Sequence, residues 1–246
     1  MLTRRRFTIA LASAASRGAE LPRVELVTLA AGSPVPSAIA RTAVTFTRAY
    51  LASPDPALAP AVLLSGRYPH ATGPALFQIA SGGPTVFVSA AREDSSSEAA
   101  CRVALAIRHP KLPAGRAFDF PVSTVDIAPT LLALMDVEPP EGLPGRDLSA
   151  LLTTGQGPHP ESIFAEGALG KPGEWRMVVR GLDKIVVRRN LDVLHLYNLG
   201  EDPYELEDLS LQIGYRLKVD ELKAIVRIWM KRTSDGMDPS GLKRRK

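Results

Sequence analysis

Two stretches of this chain are apolar without alternation: residues 85–90, TVFVSA, and residues 103–107, VALAI. A strand that shows one face to water alternates, whereas an unbroken apolar run needs cover on both faces. These runs therefore predict strands buried within a parallel sheet, sandwiched between layers, and commit the chain to an α/β architecture. Its size permits this: 246 residues, 45% of them apolar, suffice for one sizeable domain, or one domain with a small appendage.

The neighbouring segments extend the pattern. Residues 24–29, VELVTL, read as a third strand, and residues 37–51 mix helical and strand spacing. Residues 59–66, APAVLLSG, predict a short helix closed by Gly66. Residues 123–137 predict a helix with Ser123 as N-cap, Ile127, Leu131 and Leu134 on one face, and Pro129 within its first two turns. Beyond about residue 157 the rhythm changes. SIFAEGA, WRMVVRG, KIVVRRN and VLHLYNL are short strand candidates, with turn residues at 181–183 and 190–192. Ile213, Leu217, Leu222, Ile225, Ile228 and Trp229 then mark the stripe of a helix over 211–232. The expected organisation is a leader (1–20), an α/β domain (21–157) and a small antiparallel α+β subdomain with a terminal helix (158–246).

The net charge of +4 belongs to the ends of the chain. Residues 1–20 carry +3 and the final KRRK carries +4, so the body between is about −3. Nothing in the body supports nucleic-acid binding. The single cysteine, Cys101, excludes an internal disulfide framework. The start, MLTRRRFTIALASAAS, has a basic triplet at Arg4, Arg5 and Arg6, an apolar run of about ten residues and small residues after it. It reads as a twin-arginine-type export signal, with a periplasmic or extracellular destination. The run is too short to span a bilayer, and no later segment reaches that length.

FTRAYLASP followed by LLSGRYPHATG, then the segment from Val103 to Gly155, then RMVVRGLDKIVVRRNLDVLHLYNLGEDPYELEDLS, stand in an order that resembles the sulfatase family of the alkaline phosphatase superfamily. The resemblance covers most of residues 24–210. It implies a mixed sheet between helices, here shortened, followed by the small antiparallel subdomain. It also implies hydrolysis of sulfate esters: a Cys or Ser matured to formylglycine attacks sulfur, calcium held by carboxylates binds the sulfate, and Arg, Lys and His neutralise it.

Such chemistry needs a nucleophile, hard oxygen ligands for the cation, and fixed positive charge. Counted from Ser65 and Gly66, the family's nucleophile position falls on Pro56, its proline on Leu58 and its arginine on Pro60. The Asp pair closing the first strand is replaced by Ala30 and Ala31, and the later metal-ligand pair by Ala90 and Ala91. Only eleven residues separate Gly73 from Thr85, where the family carries a long insertion with a sulfate-binding His and Lys. The family's lysine after the later strand also has no counterpart. Cys101 reads as a buried inert thiol, Arg102, Asp119 and Asp126 as scaffold, and His70, His109, His159 and His195 as structural or surface histidines without ligand spacing.

No catalytic, metal-binding or substrate-binding residue is therefore assigned, and no cofactor is expected, the calcium positions being lost. Two readings stand: a non-catalytic sulfatase homologue, or a working sulfate or phosphate ester hydrolase relying on Glu93, Asp94 and Ser65. Ser53, three residues from Pro56, is not a sound substitute nucleophile. A shortened α/β domain also leaves sheet faces and edges to be covered, so self-association or a partner is expected.

Overall fold

A computed structural model describes residues 21–71, 73–90 and 93–235. The leader expected at 1–20, Ala91 and the C-terminal KRRK lie outside the described residues.

The first part of the chain builds a seven-stranded mixed sheet. Its strands are β1 (Arg23–Leu29), β2 (Val44–Tyr50), β3 (Gln78–Ile79), β4 (Thr85–Ser89), β5 (Arg102–Arg108), β6 (Ala117–Phe118) and β7 (Val122–Ser123). The order is β3-β1-β4-β5-β2-β6, with β7 also on β2. β1 is parallel to β3 and β4, and β2 is parallel to β6 and β7. The two apolar runs do become strands, but the expectation of parallel pairing fails at β5, which runs antiparallel to both β4 and β2. An unbroken apolar run reports burial of both faces, and burial does not fix direction.

One face of this sheet packs on three short helices, α2 (Ala59–Ser65), α4 (Ile127–Leu134) and α5 (Ser149–Thr154). Val44, Phe46, Val86, Leu105 and Ile107 meet Leu63, Leu64, Leu131, Leu132 and Leu152 there. Cover on the opposite face is thinner. Val35, and Ile39 of α1 (Ser37–Ala40), pack over Leu29, Ala43, Phe87 and Ala106. The helix expected at 123–137 opens as a 3₁₀ turn at Thr124–Asp126, and Pro129 sits in the first turn of α4, where a missing N–H costs little.

The second sheet is the expected meander, β8 (Ser162–Gly167), β9 (Trp175–Arg180), β10 (Asp183–Arg188) and β11 (Val193–Asn198), all antiparallel. One face packs on the main domain through Tyr50 and through Cys101 of α3 (Glu98–Cys101). The other carries α6 (Arg216–Arg232). The stripe of this helix differs from expectation. Leu222, Val226, Trp229 and Met230 are buried, whereas Ile213 and Leu217 are each 85% exposed and Ile228 is half-exposed. Tyr215 and Val219 pack against the same core, so the contact face runs along the whole helix but is turned away from Ile213, Leu217 and Ile228.

Candidate functional site

In an open sheet, chemistry gathers at the carboxyl ends of parallel strands. β1 and β4 end side by side, with Leu29 opposite Ser89 and the Ala90 N–H donating to the Leu29 carbonyl at 3.0 Å. β2 lies two strands from β4 and, because β5 reverses between them, ends at the same edge. After β2, residues 51–58 lead into α2. Gly66 closes α2 with φ of 63°, and a Cβ there would stand 2.9 Å from the Ala128 Cβ. The glycine thus lets α2 and α4 touch.

Behind this edge lies a buried charge cluster. His70 follows α2 in a 3₁₀ turn. Its Nδ1 lies 2.9 and 2.7 Å from the two carboxylate oxygens of Glu166 on β8, its backbone N–H donates to the same carboxylate at 2.9 Å, and its Nε2 faces the Thr233 carbonyl at 3.1 Å. Arg176 on β9 forks onto Asp235 at 2.6 and 2.8 Å, and also reaches Glu166 at 3.2 Å and Glu174 at 2.8 Å. Glu166, Arg176 and Asp235 are all buried. Oxygens of Glu166 and Asp235 and a nitrogen of His70 come within 4.8 Å of one another, close enough to be weighed as metal ligands. The Arg176 guanidinium already spans both carboxylates, so the space between them holds a cation supplied by the chain itself. Burial works against the charged form of His70, but Glu166, Asp235 and the Thr233 carbonyl outweigh it and raise its pKa.

A second buried cluster ties the two sheets together. Lys184 of β10 pairs with Glu205, whose other oxygen accepts the N–H of Glu98 at the start of α3 at 2.7 Å. Glu98 in turn accepts the Tyr50 hydroxyl at 2.9 Å. Burial raises the pKa of the Glu98 carboxyl and pushes the Cys101 thiol up to about 12, the behaviour of an inert core cysteine. Near the β9–β10 turn a cleft of about 410 Å³ is lined by Arg48, Arg180 and Lys218 and by Glu161, Asp183 and Glu221. Arg180 and Lys218 pair with those carboxylates, and Arg48 donates to the Gly181 carbonyl, so the cleft is electrostatically self-satisfied.

No family model and no curated protein matches this chain. Solved structures do. The phosphonate monoester hydrolase of Agrobacterium radiobacter matches over 61% of this chain and 35% of its own, with TM-score 0.54 and 22% identity. A 2-O GAG sulfatase matches over 65% and 38%, with TM-score 0.54 and 20% identity. Ps i-CgsB, in complex with k-i-k-neocarrahexaose, matches over 90% of this chain and 94% of its own, with TM-score 0.65 and 14% identity. The fold is that of the sulfatases and phosphonate monoester hydrolases. The chain spans little more than a third of the length of the first two of these relatives.

On this sulfatase-like fold the positions counted from the motif can be placed. Pro56 is exposed ahead of α2, Leu58 is its N-cap and Pro60 is in its first turn, a place suited to proline and useless for an arginine. Ala30 and Ala90 close the adjacent ends of β1 and β4. None of these side chains offers an oxygen, so the residues present do not fit the calcium ion that sulfatases hold. The alternative set does not converge either. Ser65 is buried in α2, its hydroxyl accepting the Arg67 N–H at 3.3 Å, while Asp94 accepts the Ala168 N–H at 3.0 and 3.1 Å. Glu93 is exposed. The Ser53 hydroxyl is buried without a hydrogen-bond partner.

Asp126, fully buried, accepts the N–H groups of Ser123 at 3.0 Å and Arg146 at 2.8 Å. Arg102 donates to the Thr47 carbonyl, and Asp119 is exposed. His195 meets Asp208 at 2.9 Å, His159 is exposed and stacks on Phe120, and His109 lies in the loop after β5. Sequence reasoning missed Glu166, Arg176 and Lys184. The available signal was charge inside otherwise apolar strands, together with opposite charges at paired positions, since Glu166 and Arg176 face each other in the β8–β9 register.

Proposed function

We propose that this protein is a non-hydrolytic member of the sulfatase group, exported by its twin-arginine-type leader and acting through binding rather than turnover. One observation carries the reading. The adjacent ends of β1 and β4 present Ala30 and Ala90 where sulfatase chemistry needs metal-binding carboxylates. Asp94, four residues beyond Ala90, is committed to the backbone of Ala168, and Asp55, beside Pro56, accepts the Ala57 N–H. Self-association belongs to the same reading, because the apolar residues at the start of α6 lack cover.

The test is turnover of an aryl sulfate, a phosphate monoester and a phosphonate monoester by the purified full chain, with calcium titrated by calorimetry. The expected result is no turnover above the uncatalysed rate and no stoichiometric calcium binding. Turnover that disappears in Asp94→Ala or Ser65→Ala would establish instead a divergent hydrolase built on that set.

A further inference from the structure

The surroundings of His70 dictate its protonation. Its Nε2 faces a backbone carbonyl, which only accepts, so that nitrogen must carry a proton. Its Nδ1 faces both oxygens of Glu166, a side chain that also accepts the His70 backbone N–H and lies beside the Arg176 guanidinium, so both of its oxygens are engaged as acceptors. That nitrogen must carry a proton too. A neutral imidazole in either tautomer would aim a lone pair at an acceptor, on a side chain only 7% exposed.

We propose that His70 is a buried imidazolium that latches the end of α6 to the main domain, and that its loss of a proton releases the segment Thr233–Asp235. Three parts of the chain converge on the ring. Glu166 comes from β8; Thr233 and Asp235 come from the end of α6; Tyr68, in the same turn as His70, stacks on it. Arg176 and Glu174, from β9 and the residue before it, complete the charged surroundings, and Trp229 of α6 presents its ring edge-on at 5.8 Å. With His70 charged, it and Arg176 face the carboxylates of Glu166 and Asp235, while Glu174 is shared by Arg176 and Arg189. Without its proton, Arg176 alone faces Glu166 and Asp235, and the one proton left on the ring cannot serve both Glu166 and the Thr233 carbonyl.

The sign follows from the raised proton affinity of the folded site. The latch is complete below the ordinary imidazole range, around pH ~6.5, and is lost as pH climbs through the folded value. Rising pH therefore frees Thr233–Asp235, including the bond from the Asp235 N–H to the Met230 carbonyl at 3.0 Å.

Long-range ¹H–¹⁵N spectra of the full-length protein test the protonation directly. The His70 ring is expected to show two protonated nitrogens at pH 7, and its titration midpoint to fall toward the ordinary imidazole range in Glu166→Gln. Release is read from amide exchange at Asp235, taken as the ratio of His70→Gln to wild type so that the intrinsic effect of pH cancels. That ratio is expected to exceed tenfold in mild acid and to approach one in alkali. Trp229 fluorescence in a Trp175→Phe background should change with the same midpoint, and the change should vanish with His70→Gln. A neutral His70 at pH 7 in the wild-type spectrum overturns the proposal even if neither variant folds. So does an exchange ratio that is flat with pH.

Discussion

At the scale of single residues, the buried ion pair between Lys184 and Glu205 makes the sharpest demand. Lys184 has no exposed surface, and an ammonium there needs its counter-charge. Glu205→Gln keeps the shape and an acceptor for the Glu98 N–H but leaves the ammonium with only a weakened neighbour in Glu98. It should cost about 3 kcal/mol in urea denaturation. Lys184→Met combined with Glu205→Gln should recover most of that loss, because an apolar side chain of similar volume needs no partner. If the double variant is no more stable than the single one, the pair is not what Glu205 supplies. The DPYE stretch was legible in the sequence as a mark of the fold, but its purpose was not. Glu205 acts on a strand about twenty residues earlier and on α3 in the other layer, contacts that no local spacing reveals. The Glu166–Arg176 pair could have been read more readily by folding the β8–β9 hairpin on paper, since its partners lie directly opposite.

At the scale of elements, the α2–α4 contact is set by Gly66. A side chain there must adopt a φ of 63°, and its Cβ would press on Ala128 at 2.9 Å. Left-handed backbone alone costs a non-glycine residue about 1–2 kcal/mol, and the contact adds to it. Gly66→Ala is expected to lower stability by about 2–3 kcal/mol in chemical denaturation, while Gly142→Ala, whose Cβ would meet nothing, should lose only the backbone part. Equal losses at the two glycines would refute close packing of α2 on α4. Helix α2 was legible from its composition and its glycine stop, as were the four strands of the meander. The direction of β5 was not, because strand direction depends on which neighbours arrive on either side. The burial of α6 was misread for a related reason. The second sheet selects the face carrying Tyr215, Val219, Leu222, Val226 and Trp229, which leaves Ile213, Leu217 and Ile228 beside the contact rather than in it.

For the whole molecule, that excess apolar surface has a consequence. Tyr204, Leu206, Leu211, Ile213 and Leu217, five large side chains within fourteen residues, are each more than 80% exposed. The Gln212 side chain donates to Glu207 at 2.8 Å between Leu206 and Ile213 in the chain, and Ile213 and Leu217 lie four residues apart. A monomeric surface rarely leaves a patch of this kind in water. Exposed sheet faces and edges were the expected cause of self-association, and the apolar side chains where the meander joins α6 offer a second surface for it. A two-fold pairing of that surface with its copy would bury the five side chains together. Sedimentation equilibrium should therefore show a dimer whose population grows with concentration. Ile213→Ser combined with Leu217→Ser should shift it to monomer, and should leave the unfolding midpoint unchanged when both proteins are compared at concentrations where the wild type is monomeric, since neither residue contributes to the core. A wild-type protein that stays monomeric at the highest soluble concentration would rule this pairing out, whereas a dimer indifferent to both substitutions would place the interface elsewhere.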